Sequence, residues 1–391
     1  MSGLVSRRQW LRTTGLGVGA TVALPGLLPA LEASRALGGV SYPTLLAQLE
    51  RDVTTARRAA GPIRLQFNEN PFGMSPKAKD ALMTGWAEHA QYMSPMQQRL
   101  TETFAKHVGV PAENVLVTQG SSEVLAIAAL AYGAKGGDLI VPTPTFEDLP
   151  RYMETLGATV HRVPLSDTME HDLPAMDARV SANTKLVFVC NPNNPTSNLT
   201  NESALRDFVT TTAKRAPVVV DEAYHDFVDD PSYRSMTDLV LAGHNIIVSR
   251  TASKIHGLAG LRVGFAVARP DILAKLAAYI TGSPNAMGLH AANASLQDTA
   301  YQDYVKASNR EGRTLLLNAL AAEKRRVLPS QTNFVFFDAG RSLDEVQRYF
   351  LSKHFLVGRA FPPYTQWCRV SIGTPDEMKQ FVAVLPGAFS A

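Results

Sequence analysis

The chain has 391 residues, of which 45% are hydrophobic and 19% are charged. This length suits one large domain with a smaller one, and the composition excludes a largely disordered chain, which needs low hydrophobicity and high net charge. Downstream of residue 40 no stretch reaches about 18 uncharged apolar residues, which excludes a polytopic membrane protein. The two cysteines, Cys190 and Cys368, exclude a disulfide framework and a four-cysteine zinc site.

The formal net charge of +3 comes from the N-terminal segment. Residues 1–36 hold four of the 38 basic residues and one of the 35 acidic residues, so 34 of each remain in the rest of the chain. Because the body is neutral, we predict no nucleic-acid partner.

The N-terminal segment has the pattern of an export signal. Residues 6–12 read SRRQWLR, and an uncharged run with four glycines follows over residues 13–31. The paired arginines resemble a twin-arginine signal, which predicts a partner in the twin-arginine export machinery and a periplasmic or exported location. We expect a signal over residues 1–36, cleaved near residues 30–36, and a membrane tether if it stays uncleaved. An amphipathic N-terminal helix is the alternative, which the glycines and Pro25 disfavour.

The body alternates between predicted strands and helices. Apolar, β-branched runs predict strands at 115–118, 139–142, 159–163, 186–190, 218–221, 246–249 and 263–267, with helices at 121–131, 202–215 and 271–279. Several runs are apolar throughout, as is typical of parallel strands buried on both faces, so an α/β layered domain is predicted. From about residue 301 the pattern changes to a smaller α+β domain, with helices at 301–325 and 343–353 and strands at 333–337 and 369–372.

One segment combines a lysine with candidate phosphate ligands. Residues 249–264 read SRTASKIHGLAGLRVG and begin in a predicted strand. Lys254 stands among small and hydroxyl residues and can form a Schiff base. Thr251 and Ser253 can hydrogen-bond a phosphate, and Arg262 can clamp it. A surface lysine near a glycine-rich turn is the alternative, which the complete string disfavours.

Asp221 ends the apolar run 218–221, where α/β sheets bind ligands. A buried carboxylate there needs a cationic partner, and a protonated pyridine nitrogen would supply one. The competing interpretation is a metal site built from Asp221, Glu222, His225 and Asp226. Because no second ligand cluster is evident elsewhere in the sequence, we predict no metal.

Four weaker motifs follow predicted strands or lie in them. Residues 190–196 (CNPNNPT) present asparagines at a strand end, and residues 118–123 (TQGSSE) form a strand–glycine–helix junction whose amides suit a phosphate. Phe146 could lay its face over a planar ring, and Arg369 suits a carboxylate. Each feature taken singly is also compatible with an ordinary turn, a core phenylalanine or a surface arginine.

In this order along the chain, the motifs resemble the class I/II aminotransferases, the fold-type I pyridoxal-phosphate (PLP) enzymes, and among them the histidinol-phosphate aminotransferases. The resemblance covers roughly residues 60–380 and includes NENP at residues 68–71. It implies a large three-layer α/β/α domain with a mainly parallel sheet, which we place at residues 71–290. An N-terminal arm (37–70) would precede it and a small C-terminal domain (291–391) would follow.

The resemblance also implies roles for matching residues. Lys254 would hold PLP and move a proton, Asp221 would keep the pyridine nitrogen protonated, and Tyr224 would hydrogen-bond the ring hydroxyl. Tyr92 would reach the phosphate of the neighbouring subunit, which would make a homodimer necessary. The residues expected to hold the rest of the cofactor are Gly120, Ser121, Ser122, Phe146, Asn194, Thr251, Ser253 and Arg262. The residues expected to contact the substrate are Arg369, Arg359 and Asn70.

The implied reaction moves an amino group between an amino acid, or a histidinol-phosphate-like amine, and a 2-oxo acid. Arg369 would bind the α-carboxylate, whereas Arg359 could serve a substrate phosphate or distal carboxylate, or form a surface ion pair. Three departures bear on the substrate: Ser197 stands where glycine is frequent, His256 stands where an aromatic residue is frequent, and Phe146 replaces a frequent tyrosine. The alternatives are a decarboxylase, lyase or oxidase of the same fold and, remotely, a non-catalytic PLP-binding sensor.

Overall fold

The computed structural model describes residues 61–390. The predicted signal segment and residues 37–60 of the predicted arm lie outside the described residues and stay predictions. From Arg64 onward the chain forms one compact unit, which contains the site residues discussed below. In the described part of the chain, every helix is too short or too polar to span a bilayer.

Eleven strands fall within the described residues, and seven of them form one sheet. Their bounds are β1 (Ile63–Leu65), β2 (Val115–Thr118), β3 (Asp138–Thr143), β4 (Thr159–Pro164), β5 (Thr184–Cys190), β6 (Val218–Asp221), β7 (Ile246–Thr251), β8 (Gly264–Ala268), β9 (Phe334–Asp338), β10 (Phe355–Val357) and β11 (Trp367–Ser371).

Twelve α-helices accompany the strands within residues 61–390. Their bounds are α1 (Pro76–Ala87), α2 (Ser94–Val108), α3 (Ser121–Gly133), α4 (Asp148–Thr155), α5 (Leu173–Asp177), α6 (Glu202–Thr212), α7 (Thr237–Leu241), α8 (Pro270–Ala277), α9 (Ala286–Leu296), α10 (Thr299–Ala322), α11 (Leu343–Ser352) and α12 (Pro375–Val384).

The seven-stranded sheet has the order β2-β8-β7-β6-β5-β3-β4. The strands β3 to β7 pair in parallel, whereas β8 is antiparallel to both β2 and β7. A strand that opposes both neighbours leaves those neighbours running in the same direction, so β2, β3, β5, β6 and β7 all end at one edge. The predicted mainly parallel sheet is confirmed.

Two hydrophobic clusters lie on opposite faces of this sheet, because successive side chains of a strand alternate in direction. In β5, Val187 and Val189 belong to one cluster with residues of α1, α2, α6 and α9. Leu186 and Phe188 belong to the other cluster with residues of α3, α4 and α8. The helices therefore cover both faces, which explains why the central strands are apolar throughout.

Beyond α9, the strands β9 and β11 pair antiparallel, with Arg369 opposite Phe336 and Ser371 opposite Phe334. The long helix α10 packs against α12 and β9. A capping box, in which the Thr374 hydroxyl and the Glu377 carboxylate bond each other's main-chain N–H, fixes the start of α12. The change of pattern expected after residue 301 is present, and the domain boundary at residue 290 stays a prediction.

Candidate active site

Most of the motifs singled out in the sequence come together at the carboxyl edge of the large sheet. A cavity of about 300 Å³ opens there. In a layered α/β fold, loops that leave parallel strands converge at this edge, which is where such sheets bind ligands. The cavity is lined by Phe67, Asn68, Ser121, Ser122, Thr145, Phe146, Cys190, Asn194, Asp221, Ala223, Tyr224, Thr251, Ser253, Lys254, Ala259, Arg262, Arg359, Phe361 and Arg369.

Lys254 lies in the loop between the antiparallel strands β7 and β8. Its Nζ donates to the main-chain oxygens of Asn68 (3.2 Å) and Phe67 (3.4 Å) and lies 5.4 Å from the ring centre of Tyr224. Burial, and then the positive charge of Arg369, lower the pKa of Lys254 to about 8. Roughly a tenth of this amine is therefore neutral at pH 7, and the neutral form is the one that acts as a nucleophile or base.

Asp221 ends β6 beside Cys190 of β5, with which it is in register. Its side chain is buried, and its Oδ1 has no hydrogen-bond partner among residues 61–390. Burial raises the pKa of Asp221 to about 7, although the main-chain N–H of Ala223 opposes the shift. A buried carboxylate with an unused oxygen is a receptor for a cationic or N–H group in the cavity.

A second corner of the cavity has the form of an anion cradle. Gly120 precedes α3 with φ 86°, and a Cβ at this position would overlap the guanidinium of Arg262. A Cβ on Gly264 would likewise overlap the backbone of Gly120 and Ser121. The two glycines thus bring Arg262 and the first amides of α3 close together, and helix N-terminal amides with an arginine suit a phosphate.

The hydroxyls of Thr251, at the end of β7, and of Ser253, in the β7–β8 loop (residues 252–263, the lysine loop), complete this corner. Thr251 Oγ1 donates to Ser253 Oγ over 3.0 Å and accepts the main-chain N–H of Ser253 over 3.1 Å. Ser121 and Ser122 begin α3 on the other side. These four hydroxyl residues all line the cavity, as does Arg262. The predicted phosphate ligands therefore lie together at one side of the cavity.

Arg369 approaches from β11 and is buried. Its Nη1 donates to Asn194 Oδ1 over 2.5 Å and its Nη2 donates to the Gln66 carbonyl over 2.7 Å. Its guanidinium lies 5.5 Å from the ring centre of Phe334 and 4.9 Å from that of Phe361. Burial lowers the pKa of Arg369 to about 10, so it stays cationic at neutral pH.

Arg359 is exposed and lines the same cavity. Its guanidinium lies 4.3 Å from the ring centre of Phe361, and its Nη1 donates to the carbonyl of the following Ala360 over 2.8 Å. Within residues 61–390 it has no carboxylate partner. The surface ion pair considered from the sequence is therefore not formed among these residues.

The matching family model is "Aminotransferase class I and II", and it covers residues 60–385. The chain belongs to this family.

This aminotransferase is similar to curated histidinol-phosphate aminotransferases. The Symbiobacterium thermophilum protein of that name is 37% identical over 334 residues, which are 83% of this chain and 90% of the relative. The protein of that name from Moorella thermoacetica is 36% identical over 327 residues, covering 83% of this chain and 84% of the relative.

Among solved structures, a protein of Erwinia carotovora atroseptica, provisionally named histidinol-phosphate aminotransferase, has a TM-score of 0.81 and 38% identity over 83% of this chain and 95% of its own. The histidinol-phosphate aminotransferase of Sinorhizobium meliloti, solved with pyridoxal-5'-phosphate, shares the fold with a TM-score of 0.79 and 24% identity over 85% of this chain and 93% of its own. The chain is a PLP-dependent aminotransferase.

The residues of the cavity fit PLP. The anion cradle at Gly120 and Arg262 suits its phosphate, the unused oxygen of Asp221 suits its pyridine nitrogen, and the amine of Lys254 suits its aldehyde. These three features line one cavity. The donor set therefore agrees with the cofactor of the family.

Three predicted site residues are not among those that line this cavity: Gly120, which directly precedes Ser121, and Asn70 and Tyr92. Asn70 donates its amide to the Ile255 carbonyl over 2.8 Å, and its Oδ1 accepts the N–H of Phe72 over 3.0 Å, so it shapes the chain beside the lysine loop. Tyr92 is 94% exposed in the single chain. Their predicted contacts, to substrate and to the neighbouring subunit, stay predictions.

The sequence also missed residues that the structure brings into the site. Phe67, Asn68 and Phe361 line the cavity, yet no role was predicted for them. Asn68 belongs to the NENP motif, which was a usable signal, whereas nothing in the local sequence distinguishes Phe361 from a core phenylalanine.

Two carboxylates of the alternative metal site, Glu222 and Asp226, pair with Arg250. Glu222 is fully buried and pairs with Arg250, whose Nε lies 2.9 Å from Glu222 Oε2 and whose Nη1 lies 3.3 Å from Asp226 Oδ1. Among residues 61–390 no group of three His, Cys, Asp or Glu side chains is arranged to hold a metal ion. Cys190 and Cys368 are both buried free thiols.

Proposed function

We propose that this aminotransferase exchanges an amino group between a 2-oxo acid and an amino acid or histidinol-phosphate-like amine, with Lys254 as its acid–base group. The observation that carries the proposal is the placement of Lys254, Asp221 and Arg369 around one cavity. Bound PLP would supply an aldehyde for the amino group and an electron-withdrawing ring. The remaining work of binding, orientation and proton movement falls to the residues below.

Asp221 would stabilise a proton on the pyridine nitrogen, since Oδ1 of its buried carboxylate lacks another partner among residues 61–390. Tyr224 and Asn194 would donate hydrogen bonds near the ring hydroxyl, and Phe146 would pack on the ring face. The residues proposed to hold the phosphate are Gly120, Ser121, Ser122, Thr251, Ser253 and Arg262.

Lys254 would move the proton between the substrate Cα and C4′ of PLP. Its lowered pKa supports this role, because a general base works best when its pKa lies near the working pH. The carbonyls of Phe67 and Asn68 hold the amine at the cavity wall, 3.4 and 3.2 Å away. A fixed amine gives proton transfer a defined direction.

Arg369 would bind the α-carboxylate of the 2-oxo acid and of amino-acid donors. It is buried between two aromatic rings, and its Nε has no hydrogen-bond partner within residues 61–390. Arg359 would receive a phosphate or distal carboxylate, because it lines the same cavity with its charge unpaired among those residues. Two cationic groups suit a substrate with an anionic group at each end.

We further propose a homodimer in which Tyr92 reaches the partner's cofactor phosphate, and export through the twin-arginine route. The 94% exposure of the Tyr92 side chain in the single chain supports the first proposal, and SRRQWLR at residues 6–12 supports the second. Gel filtration and the N-terminal sequence of protein from the periplasm would test them.

The test of the reaction compares wild type with Lys254→Ala under PLP saturation. Each is given L-histidinol phosphate or a panel of amino acids with 2-oxoglutarate, and both glutamate and carbon dioxide are measured. We expect glutamate from wild type, a loss of at least about 100-fold in Lys254→Ala, and an unchanged thermal midpoint. Carbon dioxide without glutamate would favour a decarboxylase, and full turnover by the variant would refute the role of Lys254.

The test of the substrate contacts uses Arg359→Gln. We expect KM to rise about tenfold for doubly anionic substrates, since hydrogen bonds to charged groups contribute about 1.5–3 kcal/mol, and to stay unchanged for alanine. Arg369→Gln should instead raise KM for every substrate with an α-carboxylate. A uniform effect of Arg359→Gln would place the distal site elsewhere.

A further inference from the structure

We propose that Asn68 is a positioning residue that makes the Tyr224 hydroxyl a hydrogen-bond donor toward the cavity. The side chains of Asn68 and Tyr224 both line the cavity. Asn68 is 1% exposed, although the neighbouring Phe67 is 57% exposed. A polar side chain that is buried so deeply is expected to form hydrogen bonds with specific partners.

Ser371 determines how the Asn68 amide is oriented. The serine Oγ accepts the main-chain N–H of Asn68 over 2.8 Å and donates to Asn68 Oδ1 over 3.0 Å. Because the serine proton points to Oδ1, the NH₂ group must lie on the opposite side of the amide. That group donates to the Tyr224 hydroxyl oxygen over 3.0 Å.

The Tyr224 oxygen receives a second amide. Asn194 Nδ2 donates to it over 3.4 Å, and Asn194 Oδ1 in turn accepts from Arg369 Nη1. A phenolic hydroxyl has one donor and two acceptor positions. Because the two amides occupy both acceptor positions, only the O–H of Tyr224 remains available for hydrogen bonding. This proton can be donated to a group in the cavity.

The main chain of Asn68 is fixed as firmly as its amide. Its carbonyl accepts from Asn333 Nδ2 over 3.0 Å and from Lys254 Nζ over 3.2 Å. Its φ is 55°, in the left-handed region that asparagine tolerates better than most residues and glycine adopts freely. Asn68→Gly therefore removes the amide while keeping the backbone conformation.

This inference rests on the proposed role of Tyr224 at the cofactor. If Asn68 acts through Tyr224, its removal matters only while the tyrosine oxygen is present. A purely structural role of Asn68 would instead be independent of that oxygen. A double-mutant cycle separates these cases, since residues that act through one another are not additive.

The cycle comprises wild type, Asn68→Gly, Tyr224→Phe and the double variant. The PLP dissociation constant of each apoprotein is measured by fluorescence titration, and the visible absorption of each loaded protein is titrated against pH. Asn114→Ala is the matched control, because it removes a buried amide that bonds the Ala268 carbonyl at the opposite edge of the sheet.

We expect Asn68→Gly to weaken PLP binding threefold to tenfold and to shift the absorption titration in the same direction as Tyr224→Phe. In the Tyr224→Phe background the same change should alter both readouts less than twofold, and Asn114→Ala should alter neither. Equal effects of Asn68→Gly in both backgrounds would overturn the inference while leaving the proposed function intact. No effect of Tyr224→Phe itself would overturn the proposed role of Tyr224 and the inference together.

Discussion

Replacing the buried carboxylate of Asp221 should stabilise the apoprotein while it damages the enzyme. Asp221 is buried at the end of β6, and its Oδ1 has no partner among residues 61–390. Ionising it there is unfavourable, which is why burial raises its pKa from 3.8 to about 7. Asp221→Asn keeps the shape and removes the charge.

The unfolding free energy depends on pH because Asp221 binds its proton more tightly in the folded than in the unfolded protein. The folded apoprotein holds the Asp221 proton up to about pH 7, whereas the unfolded chain releases it near 3.8. The stabilisation from this proton is therefore fully present below pH 3.8 and is lost as pH rises through about 7. A pKa difference of about three units corresponds to roughly 4 kcal/mol at alkaline pH, of which about 2 to 3 kcal/mol accrues between pH 5 and pH 8.

The assay is urea unfolding of wild-type and Asp221→Asn apoproteins at pH 5 and pH 8. Groups that titrate identically in both proteins cancel in the difference. We expect the variant's advantage in unfolding free energy to grow by about 2 to 3 kcal/mol over this range. With PLP present the order should reverse, because the variant has lost the carboxylate that would face the pyridine nitrogen.

Asp226→Asn is the matched control, because Asp226 lies in a short 3-10 helix after the same strand and its pKa is shifted in the opposite direction. Burial works to raise its pKa, but Arg250 and nearby histidines lower it overall. This carboxylate contributes stability above its unfolded pKa, so its removal should destabilise the protein at both pH values. A difference between Asp221→Asn and wild type that stays constant from pH 5 to pH 8 would refute the reasoning.

Two glycine-related predictions probe the backbone. Gly264→Ala should lower the free energy of unfolding by about 1–3 kcal/mol and weaken PLP binding, because its Cβ would meet the backbone at Gly120. Gly260→Ala is the control in unfolding and PLP titrations, because, apart from the adjoining chain, none of the described residues lies within 4 Å of a Cβ at that position. Equal effects of the two substitutions would contradict the argument. Ser197 is buried with φ 66° and an unpartnered hydroxyl within residues 61–390, so Ser197→Gly should stabilise by about 1 kcal/mol. Ser197→Ala should gain less in thermal unfolding, and an equal gain would assign the effect to the hydroxyl alone.

The central strands could be predicted well from sequence because their signal is local. The runs 115–118 and 218–221 match β2 and β6 to the residue. The run 263–267 was predicted as a strand and is one, shifted by a residue. The antiparallel direction of this strand could not be predicted from the sequence, since an apolar run buried on both faces has the same pattern in either direction.

The candidate site likewise contains residues that the sequence could identify and residues that only the structure could assign. Lys254, Asp221 and Arg262 stand in strings whose residue types already match PLP chemistry, so composition and order sufficed to propose them. Arg359 was ambiguous in the sequence, and the structure decided that it lines the cavity and lies against Phe361.

The sequence by itself determined the family, the cofactor-binding strings and the order of most strands and helices, because these depend on neighbours along the chain. Only the tertiary structure decided the hydrogen-bond network. Asn68 and Ser371 are 303 residues apart, yet they share two hydrogen bonds, and Asn68 reaches Tyr224 across 156 residues. Such contacts depend on how the sheet edge, the segment around Asn68 and β11 pack together, and no local sequence pattern records that packing.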